Sequence, residues 1–420
     1  MQPVNTQASP QPQPQVALRG RVAPLPKPLI AAMLLQFAAT GAVLPFVTLL
    51  LRDRGLSYER ISQVFLAASA TMLVFPFLWG MVADRYLALN RLFIVVNLCG
   101  AAALAGMSVA GGFTGLLLAF AAYTACMNPT FALISALSFH HLPDPREQFG
   151  RLRAWGSVGW IIPFLPIALW TAHQHQAGLN VILYLGMGLC VGMAGLSLWL
   201  PHTPPRARGT TNTGSTPPLY LPAVRRLLNN ANYLVVLAAM FSVSGSFALT
   251  MYYVQPYLET VGVPRPWIGP VQAIGVAAEV ILFQFQPAAL RRLNYAATIA
   301  LGCLALAVRH LLFSWVNVAW VLCASYALTG VVVVFFHMGV SVLVNALAEP
   351  EVRATAQTLL GFCSLGLGPM FANWAAGFLT ARWHDDLHPV FLLGAGMAAL
   401  AVLLIAVRAR QLNAVKHPEP

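Results

Sequence analysis

The segment FGRLRAWGSVGW, residues 149–160, places charged, small and aromatic residues at helical spacing in an apolar region. Four of them follow the i, i+3, i+4, i+7 pattern and share one helix face: Arg153, Gly156, Ser157 and Trp160. A guanidinium can hold a carboxylate or hydroxyl groups through its planar fork, and an indole can stack on a flat ring. The pattern predicts a binding face. A rim arginine and a lipid-facing or core tryptophan are the plainer alternatives.

Four more ionisable side chains lie inside apolar segments of the C-terminal half: Glu279, Arg309, His310 and His337. An ionisable group at the centre of a membrane helix costs roughly 2.5–3.5 kcal/mol, so it should be paired or line a cavity. Glu279 and Arg309 occur in consecutive helices, which predicts an ion pair that acts as a proton switch. His337 is predicted to take part in substrate or proton handling. The alternatives are an ion pair that only fixes helix packing and, for His337, an interior histidine whose hydrogen bonds are satisfied. His310 points away from Arg309 and is predicted to pack or to lie at an interface.

The composition is that of a membrane protein. Of 420 residues, 58% are hydrophobic and 9% are charged, whereas soluble proteins carry roughly 25% charged residues. Residues 1–28 form a Pro- and Gln-rich tract without the apolar core of a signal peptide, and they predict a disordered cytoplasmic tail. The six cysteines lie in apolar segments at unrelated spacings, which indicates neither disulfides nor a metal site.

Twelve apolar segments are long enough to cross a membrane as helices. Hydropathy places them at 29–51, 59–81, 92–111, 114–139, 152–171, 179–200, 230–255, 266–288, 295–314, 318–347, 354–379 and 388–408. Residues 201–229 are rich in Pro, Gly, Thr and Arg and predict a flexible cytoplasmic linker. The chain is therefore expected to form an all-α membrane protein with an N-terminal six-helix bundle (29–200), a C-terminal six-helix bundle (230–408) and a cytoplasmic tail (409–420).

Asn128 and Pro129 interrupt the fourth segment. A proline disfavours helical geometry in the residue before it, and the freed backbone groups could line a cavity. An ordinary proline kink is an equally good interpretation.

The basic residues predict the orientation of the chain. With the N-terminus inside, five of the 24 Lys and Arg residues fall outside and Arg309 falls within a span, while all others lie on the cytoplasmic side. The positive-inside rule therefore places both termini in the cytoplasm. The net charge of +12 is scattered among loops, so nucleic-acid binding is not expected.

Six plus six helices around a central linker resembles the layout of the major facilitator superfamily of transporters. The segment GMVADRYLALNR, residues 80–91, is similar to that family's loop signature through Gly80, Asp84 and Arg85, with Arg91 in place of paired basic residues. The resemblance implies conformational gating, in which Asp84 pairs with a helix end in one state and releases it in another. A charged turn that stops both helices is the plainer alternative.

Within that superfamily, residues 29–408 resemble the lactose permease family of proton symporters. FGRLRAWGSVGW is similar to the start of that family's fifth helix and implies a sugar-binding arginine at Arg153 and a stacking tryptophan at Trp160. GVAAEV and AVRHLL are similar to the surroundings of the proton- and sugar-linked residues, here Glu279 and Arg309. Ser135 stands where the family has its galactoside-anchoring acid. The spacing of 28 residues between Arg309 and His337 is closer to that of the phenylpropionic acid permease branch.

These features predict a proton-coupled symporter of a small organic solute. The substrate they favour is an aromatic or other carboxylic acid held by Arg153 and Trp160. Ser135 and Asn128 are expected in the same site. A sugar or nucleoside symporter, an uncoupled facilitator or exporter, and a transport-dead sensor remain open. No nucleophile–base pair, phosphate loop or metal cluster is visible, so neither an enzyme nor a cofactor is expected. The expected partners are substrate, protons and the bilayer of a bacterial inner membrane, with the chain functioning as a monomer.

Overall fold

The structure is a computed structural model that describes residues 24–173, 178–205, 221–349 and 352–415. The described part is built from helices and contains no strand. This confirms the predicted all-α class. Most of the N-terminal tail, the middle of the linker and residues 416–420 lie outside the described residues, so those predictions stay predictions.

The N-terminal half forms six spans, of which the first, fourth and fifth are each divided into two helices. In chain order the helices are α1 (Lys27–Gly41) and α2 (Val47–Asp53), α3 (Tyr58–Arg85), α4 (Leu89–Val109), α5 (Phe113–Met127) and α6 (Thr130–His141), α7 (Pro145–Ile161) and α8 (Phe164–His173), and α9 (Asn180–Leu196). The break in the fourth span falls at Asn128 and Pro129, where the sequence predicts it.

The C-terminal half begins with a helix that the sequence analysis did not predict, α10 (Leu221–Asn229), at the end of the linker. The seventh, eighth and ninth spans are α11 (Ala231–Thr260), α12 (Ile268–Phe283) and α13 (Gln286–Trp315). Of the remaining spans, the tenth and eleventh each contain a short π-helical segment. The remaining spans comprise α14 (Ala319–Ala324), α15 (Ala327–Val331), the π segment Val332–Met338 and α16 (Gly339–Leu347); then α17 (Arg353–Gly361), the π segment Phe362–Leu367 and α18 (Gly368–Arg382); and finally α19 (His388–Val407), followed by α20 (Ala409–Asn413).

Ten helical stretches in the described residues are long and apolar enough to cross a membrane. The sixth span, α9, adds a shorter apolar helix of 17 residues, and the divided first span completes the predicted twelve. The eighth span ends at Phe283, earlier than predicted. Gln286 therefore begins α13, and its side chain donates to the Val334 carbonyl oxygen at 3.4 Å.

The two halves pack together at one end of the molecule, which we name the far end because it lies opposite the linker end where residues 201 and 229 are found. One core of buried side chains runs through the N-terminal half and continues into the far end of the C-terminal half, where it includes Tyr253 and Phe391. A second core fills the linker end of the C-terminal half. Shared packing at the far end and separate packing at the linker end leave a space between the halves.

Ion pairs connect the halves at the far end. Arg52 contacts Asp385 at 2.8 Å, and Arg265 holds both carboxylate oxygens of Asp53 at 2.8 and 3.0 Å. The backbone N–H of Tyr58 also donates to Asp385 at 3.0 Å. In this conformation the far end is closed.

Candidate functional site

A cavity of about 750 Å³ lies between the two halves. Ligand pockets commonly measure about 300–1,000 Å³, so this cavity can hold a small organic molecule. Its walls include the seven residues predicted to bind substrate or couple protons: Asn128, Ser135, Arg153, Trp160, Glu279, Arg309 and His337. The structure thus brings together side chains from the fourth, fifth, eighth, ninth and tenth spans, although their roles stay predictions.

The fifth span reaches the cavity because it packs closely on the first span. A Cβ atom on Gly159 would collide with the main-chain carbonyl of Leu34, and one on Gly41 would collide with that of Trp160. Small residues allow membrane helices to approach this closely. The face that carries Arg153 and Trp160 therefore turns into the cavity, as the helical spacing predicts.

Arg153 lies where the two halves face each other. Its guanidinium carbon is 4.3 Å from the centroid of the Phe37 ring. From the opposite half, Glu279 interacts electrostatically with the guanidinium across the cavity. Among the described residues the two side chains form no ion pair within 4 Å, so Arg153 and Glu279 influence each other from opposite walls of the cavity.

The predicted ion pair between Glu279 and Arg309 is wrong for this conformation. Arg309 donates to Oγ1 of Thr329 at 2.9 Å, and its guanidinium carbon lies 4.2 Å from the centroid of the Tyr326 ring. The five ion pairs among the described residues include neither Glu279 nor Arg309. Arg309 is only 1% exposed, because it packs against the tenth span, whereas Glu279 faces Arg153.

His337 lines the cavity from the π segment of the tenth span. Its ring packs nearly edge-on against Phe247, with centroids 5.6 Å apart, and against Phe336, with centroids 5.2 Å apart. Such π segments occur frequently at functional sites because they change the direction in which side chains project. The position suits either a substrate contact or a proton relay, and the role of His337 stays a prediction.

The break in the fourth span is stabilised by the second span. Pro129 has no N–H with which to satisfy the Ala125 carbonyl oxygen, and the indole Nε1 of Trp79 donates to that oxygen at 2.9 Å. The kink leaves Asn128 on the cavity wall. About two turns further on, Ser135 donates to the carbonyl four residues earlier at 2.8 Å, so its oxygen remains free to accept.

The predicted gating residues lie at the linker end of the second span, outside the central cavity. Gly80 and Asp84 line a smaller pocket of about 350 Å³ beside His140 and Thr203. Asp84 and Arg85 are exposed. Within the described ranges, no hydrogen bond connects Asp84 to a helix end in this conformation. Its gating role stays a prediction.

The seventh span contributes cavity residues that the sequence analysis missed: Phe247, Thr250, Tyr252 and Gln255. They are uncharged and occur in ordinary membrane-helix composition, so only the polar spacing from Tyr252 to Gln255 could have indicated them. The rings of Tyr252 and Phe65 stack across the boundary between the halves, with centroids 3.8 Å apart and planes at 9°. This stack closes the cavity toward the far end.

Two bundles of spanning helices around a central cavity define a membrane transporter of the major facilitator fold. The MFS_1 like family matches residues 28–393, and the chain belongs to this family.

Relatives and solved structures agree with this assignment. The chain is 26% identical over 311 residues, 70% of each chain, to YegT of Escherichia coli, whose name describes it as a candidate nucleoside transporter. It is 24% identical over 312 residues, 74% of this chain and 76% of the relative, to the maltose permease of Geobacillus stearothermophilus. The crystal structure of the nucleoside transporter NupG superposes with a TM-score of 0.79 at 21% identity, covering 91% of this chain and 98% of that chain. The narrower resemblance to lactose and phenylpropionic acid permeases stays a prediction.

Proposed function

We propose that this chain carries nucleosides across a bacterial inner membrane in symport with protons. The observation that supports this most is the placement of charge in the cavity, where Arg153 lines the wall of one half and Glu279 lines the wall of the other. Arg309 is only 1% exposed, and the rest of the wall offers aromatic rings and neutral polar groups. A nucleoside has a flat base and a hydroxylated sugar, and it needs both kinds of contact but no free charge.

The cavity walls supply these contacts on both sides. The ring of Trp160 can stack on a base, while Asn128, Gln255 and Gln272 carry amides that donate and accept hydrogen bonds. A buried polar group that loses its partner is costly, so such a wall discriminates strongly among polar solutes.

The relatives support the same class of substrate. Two proteins similar to this chain, YegT and NupG, carry names that describe nucleoside transport. A third is named a maltose permease, which keeps a sugar as the closest alternative. All three names describe small neutral hydroxylated solutes, in agreement with a cavity that has an acid on the wall opposite Arg153.

Transport would proceed by alternating access, with the two halves rocking about the central cavity. We propose that the linker end and both termini face the cytoplasm, as the distribution of basic residues predicts. The structure is then the state in which the outer end is closed by the Arg52–Asp385 and Asp53–Arg265 ion pairs. One chain contains the whole cavity, so the monomer is sufficient for transport.

Binding to the purified protein tests the proposal. A ligand that binds only the native state increases the free energy of unfolding by mass action, by about 2.7 kcal/mol at a hundredfold excess over Kd. The unfolding temperature rises as a result. We expect uridine to raise the unfolding temperature and to exchange in counterflow after reconstitution, with little effect of maltose. Stabilisation by maltose alone would assign a sugar instead.

An aromatic carboxylate is the second candidate, and one observation favours it. Nε and Nη2 of Arg309 are buried without a hydrogen-bond partner among the described residues, and a carboxylate could accept from both. Binding of 3-phenylpropionate and its uncharged amide separates the candidates. If the acid is a substrate held by Arg309, Arg309→Gln weakens its binding by roughly 1.5–3 kcal/mol and barely affects binding of the amide. For a nucleoside transporter, neither compound binds.

A further inference from the structure

Two threonines on the cavity wall use their hydroxyl groups differently from other helical threonines of this chain. Elsewhere the hydroxyl commonly donates to a carbonyl one turn back, as it does at Thr40, Thr171 and Thr380. Within the described residues, Thr250 and Thr329 make no such bond. Each faces a basic residue of the ninth span, and these two basic residues, Arg309 and His310, are adjacent.

Thr329 receives a hydrogen bond from Arg309. Nη1 of the guanidinium lies 2.9 Å from Oγ1, and a guanidinium has no acceptor, so the hydroxyl oxygen must accept. The proton of Thr329 is then not used in this contact. Because Thr329 lines the cavity, that proton is available to a ligand there.

Thr250 is in the same situation through His310. Nε2 of His310 lies 3.0 Å from the carbonyl oxygen of Ser246 and 3.1 Å from Oγ1 of Thr250. A carbonyl oxygen can only accept, so Nε2 carries the proton, and the Thr250 oxygen accepts the other branch of a three-centre bond. Ser246 is four residues before Thr250, so His310 occupies the carbonyl to which this hydroxyl would otherwise donate.

The imidazole of His310 is held firmly in this position. The residue is 1% exposed, and a Cβ atom on Gly394 would collide with its ring. The hydroxyl of Ser246 donates in turn to the Gly394 carbonyl at 2.8 Å. The ring therefore lies in a slot between the seventh and twelfth spans that fixes which atom faces Thr250.

We infer that Arg309 and His310 orient Thr329 and Thr250 as hydrogen-bond donors toward the substrate, and that this wall selects bases with carbonyl oxygens over bases with amino groups. Thr250 and Thr329 are specificity-determining residues, and His310 is a positioning residue that does not touch the substrate. The inference rests on the proposed nucleoside function and narrows it to oxo-nucleosides such as uridine and inosine.

The orientation of Thr250 can be measured without any substrate. In protein labelled with ¹⁵N-histidine and reconstituted in lipid, we expect the His310 signal, assigned by its loss in His310→Gln, to show the Nε2–H tautomer. A proton on Nδ1 instead would make Nε2 an acceptor from Thr250 and would overturn the inference.

The selectivity is measured with uridine and cytidine, which share the sugar and differ in a carbonyl against an amino group on the ring. We expect the full chain to bind uridine roughly tenfold more tightly than cytidine. This is about the cost of one lost hydrogen bond, because the threonine donor is left without an acceptor when cytidine binds. Thr250→Val should reduce this ratio several-fold, while Thr250→Ser should restore it. Thr380→Val, which removes a back-bonded hydroxyl remote from the cavity, is the matched control and should keep the ratio.

A double-mutant cycle separates positioning from structural damage. If His310 acts through Thr250, the effects of His310→Gln and Thr250→Val on the ratio do not add. Additive effects, or equal binding of uridine and cytidine by the unmodified chain, contradict the inference while leaving nucleoside transport intact. Failure to bind any nucleoside overturns the proposed function and the selectivity together, and the tautomer measurement then still decides the orientation of Thr250.

Discussion

At the scale of single residues, Arg153 and the acid Glu279 line the cavity from different halves of the molecule. Arg153 lies on the fifth span and Glu279 on the eighth, and they interact across the space between the bundles. A movement of one half against the other changes their separation, and a neighbouring charge affects the proton affinity of a carboxylate. We therefore propose that protonation of Glu279 and the conformation of the transporter are coupled.

Replacing Glu279 tests this coupling. Among the described residues that line the cavity, Glu279 is the sole acid, so Glu279→Gln should abolish accumulation of substrate driven by a pH gradient. Counterflow of labelled substrate should continue, because binding and movement of the halves need no net proton transfer. Uptake and counterflow in proteoliposomes measure both.

A matched acid outside the cavity provides the control for that experiment. Glu349 forms an exposed ion pair with Arg226 at the linker end, and Glu349→Gln should retain accumulation. If Glu279→Gln still concentrates substrate against a gradient, the assignment of the coupled proton to Glu279 is incorrect.

Arg309 supplies a second test at this scale. Arg309→Lys keeps the charge but loses the planar fork that donates to Thr329 and stacks on Tyr326. We expect the unfolding temperature to stay near that of the unmodified chain while transport falls roughly tenfold, the value of one charged hydrogen bond. Arg408→Lys, at the end of the twelfth span, is the control. Normal transport by the Arg309 variant would reduce Arg309 to a packing residue.

At the scale of elements, hydropathy was enough to predict the spans because each needs about 20 apolar residues. Polar residues inside those spans, such as Asn128 and His337, were predictable on the cavity wall because a polar group that faces lipid is costly. The partner of Glu279 was not, because it depends on how each helix is rotated and sequence order favours the next span. The π segment around His337 also leaves no composition signal, and Thr250 resembles any helical threonine.

The close contact between the first and fifth spans leads to a prediction about packing. A Cβ atom on Gly159 would collide with the Leu34 carbonyl, and such overpacking typically costs about 1–3 kcal/mol. Gly159→Ala should therefore lower the unfolding temperature in detergent and weaken substrate binding, because the face with Arg153 and Trp160 is displaced. Thermal unfolding with and without substrate measures both effects.

Gly192 on the sixth span is the matched position, since a Cβ atom there would meet nothing within 4 Å. Alanine has a helix propensity about 1 kcal/mol better than glycine, so Gly192→Ala should leave the unfolding temperature unchanged or raise it. Equal behaviour of the two variants would mean that the fifth span can move away from the first without cost.

At the scale of the whole molecule, the ion pairs between the halves lie at the far end in the described part of the chain. The Arg52 and Asp385 side chains are 36% and 32% exposed, so the pair contributes roughly 0.2–1 kcal/mol. That amount is small for folding but enough to shift the balance between two conformations. Asp385→Arg should open the far end, and the exchanged pair Arg52→Asp with Asp385→Arg should close it again.

Distances between spin labels on Gly111 and Trp383, in a background without native cysteines, report this change. Both positions lie in far-end connections on opposite halves. We expect a longer distance in the single variant and a return to the short distance after the exchange. An unchanged distance in all three proteins would show that packing alone holds this end closed.

The short sixth span also has a consequence for the surrounding lipid. Its 17 residues rise about 26 Å at 1.5 Å per residue, whereas the hydrocarbon core of a typical bilayer is about 30 Å thick. Beside this helix the acyl chains must compress, or the polar ends of the helix must enter hydrocarbon, and each ångström of mismatch has an energetic cost. The bilayer next to the N-terminal bundle is therefore expected to be thinner than elsewhere, and the length of the lipid tails should affect how this bundle moves.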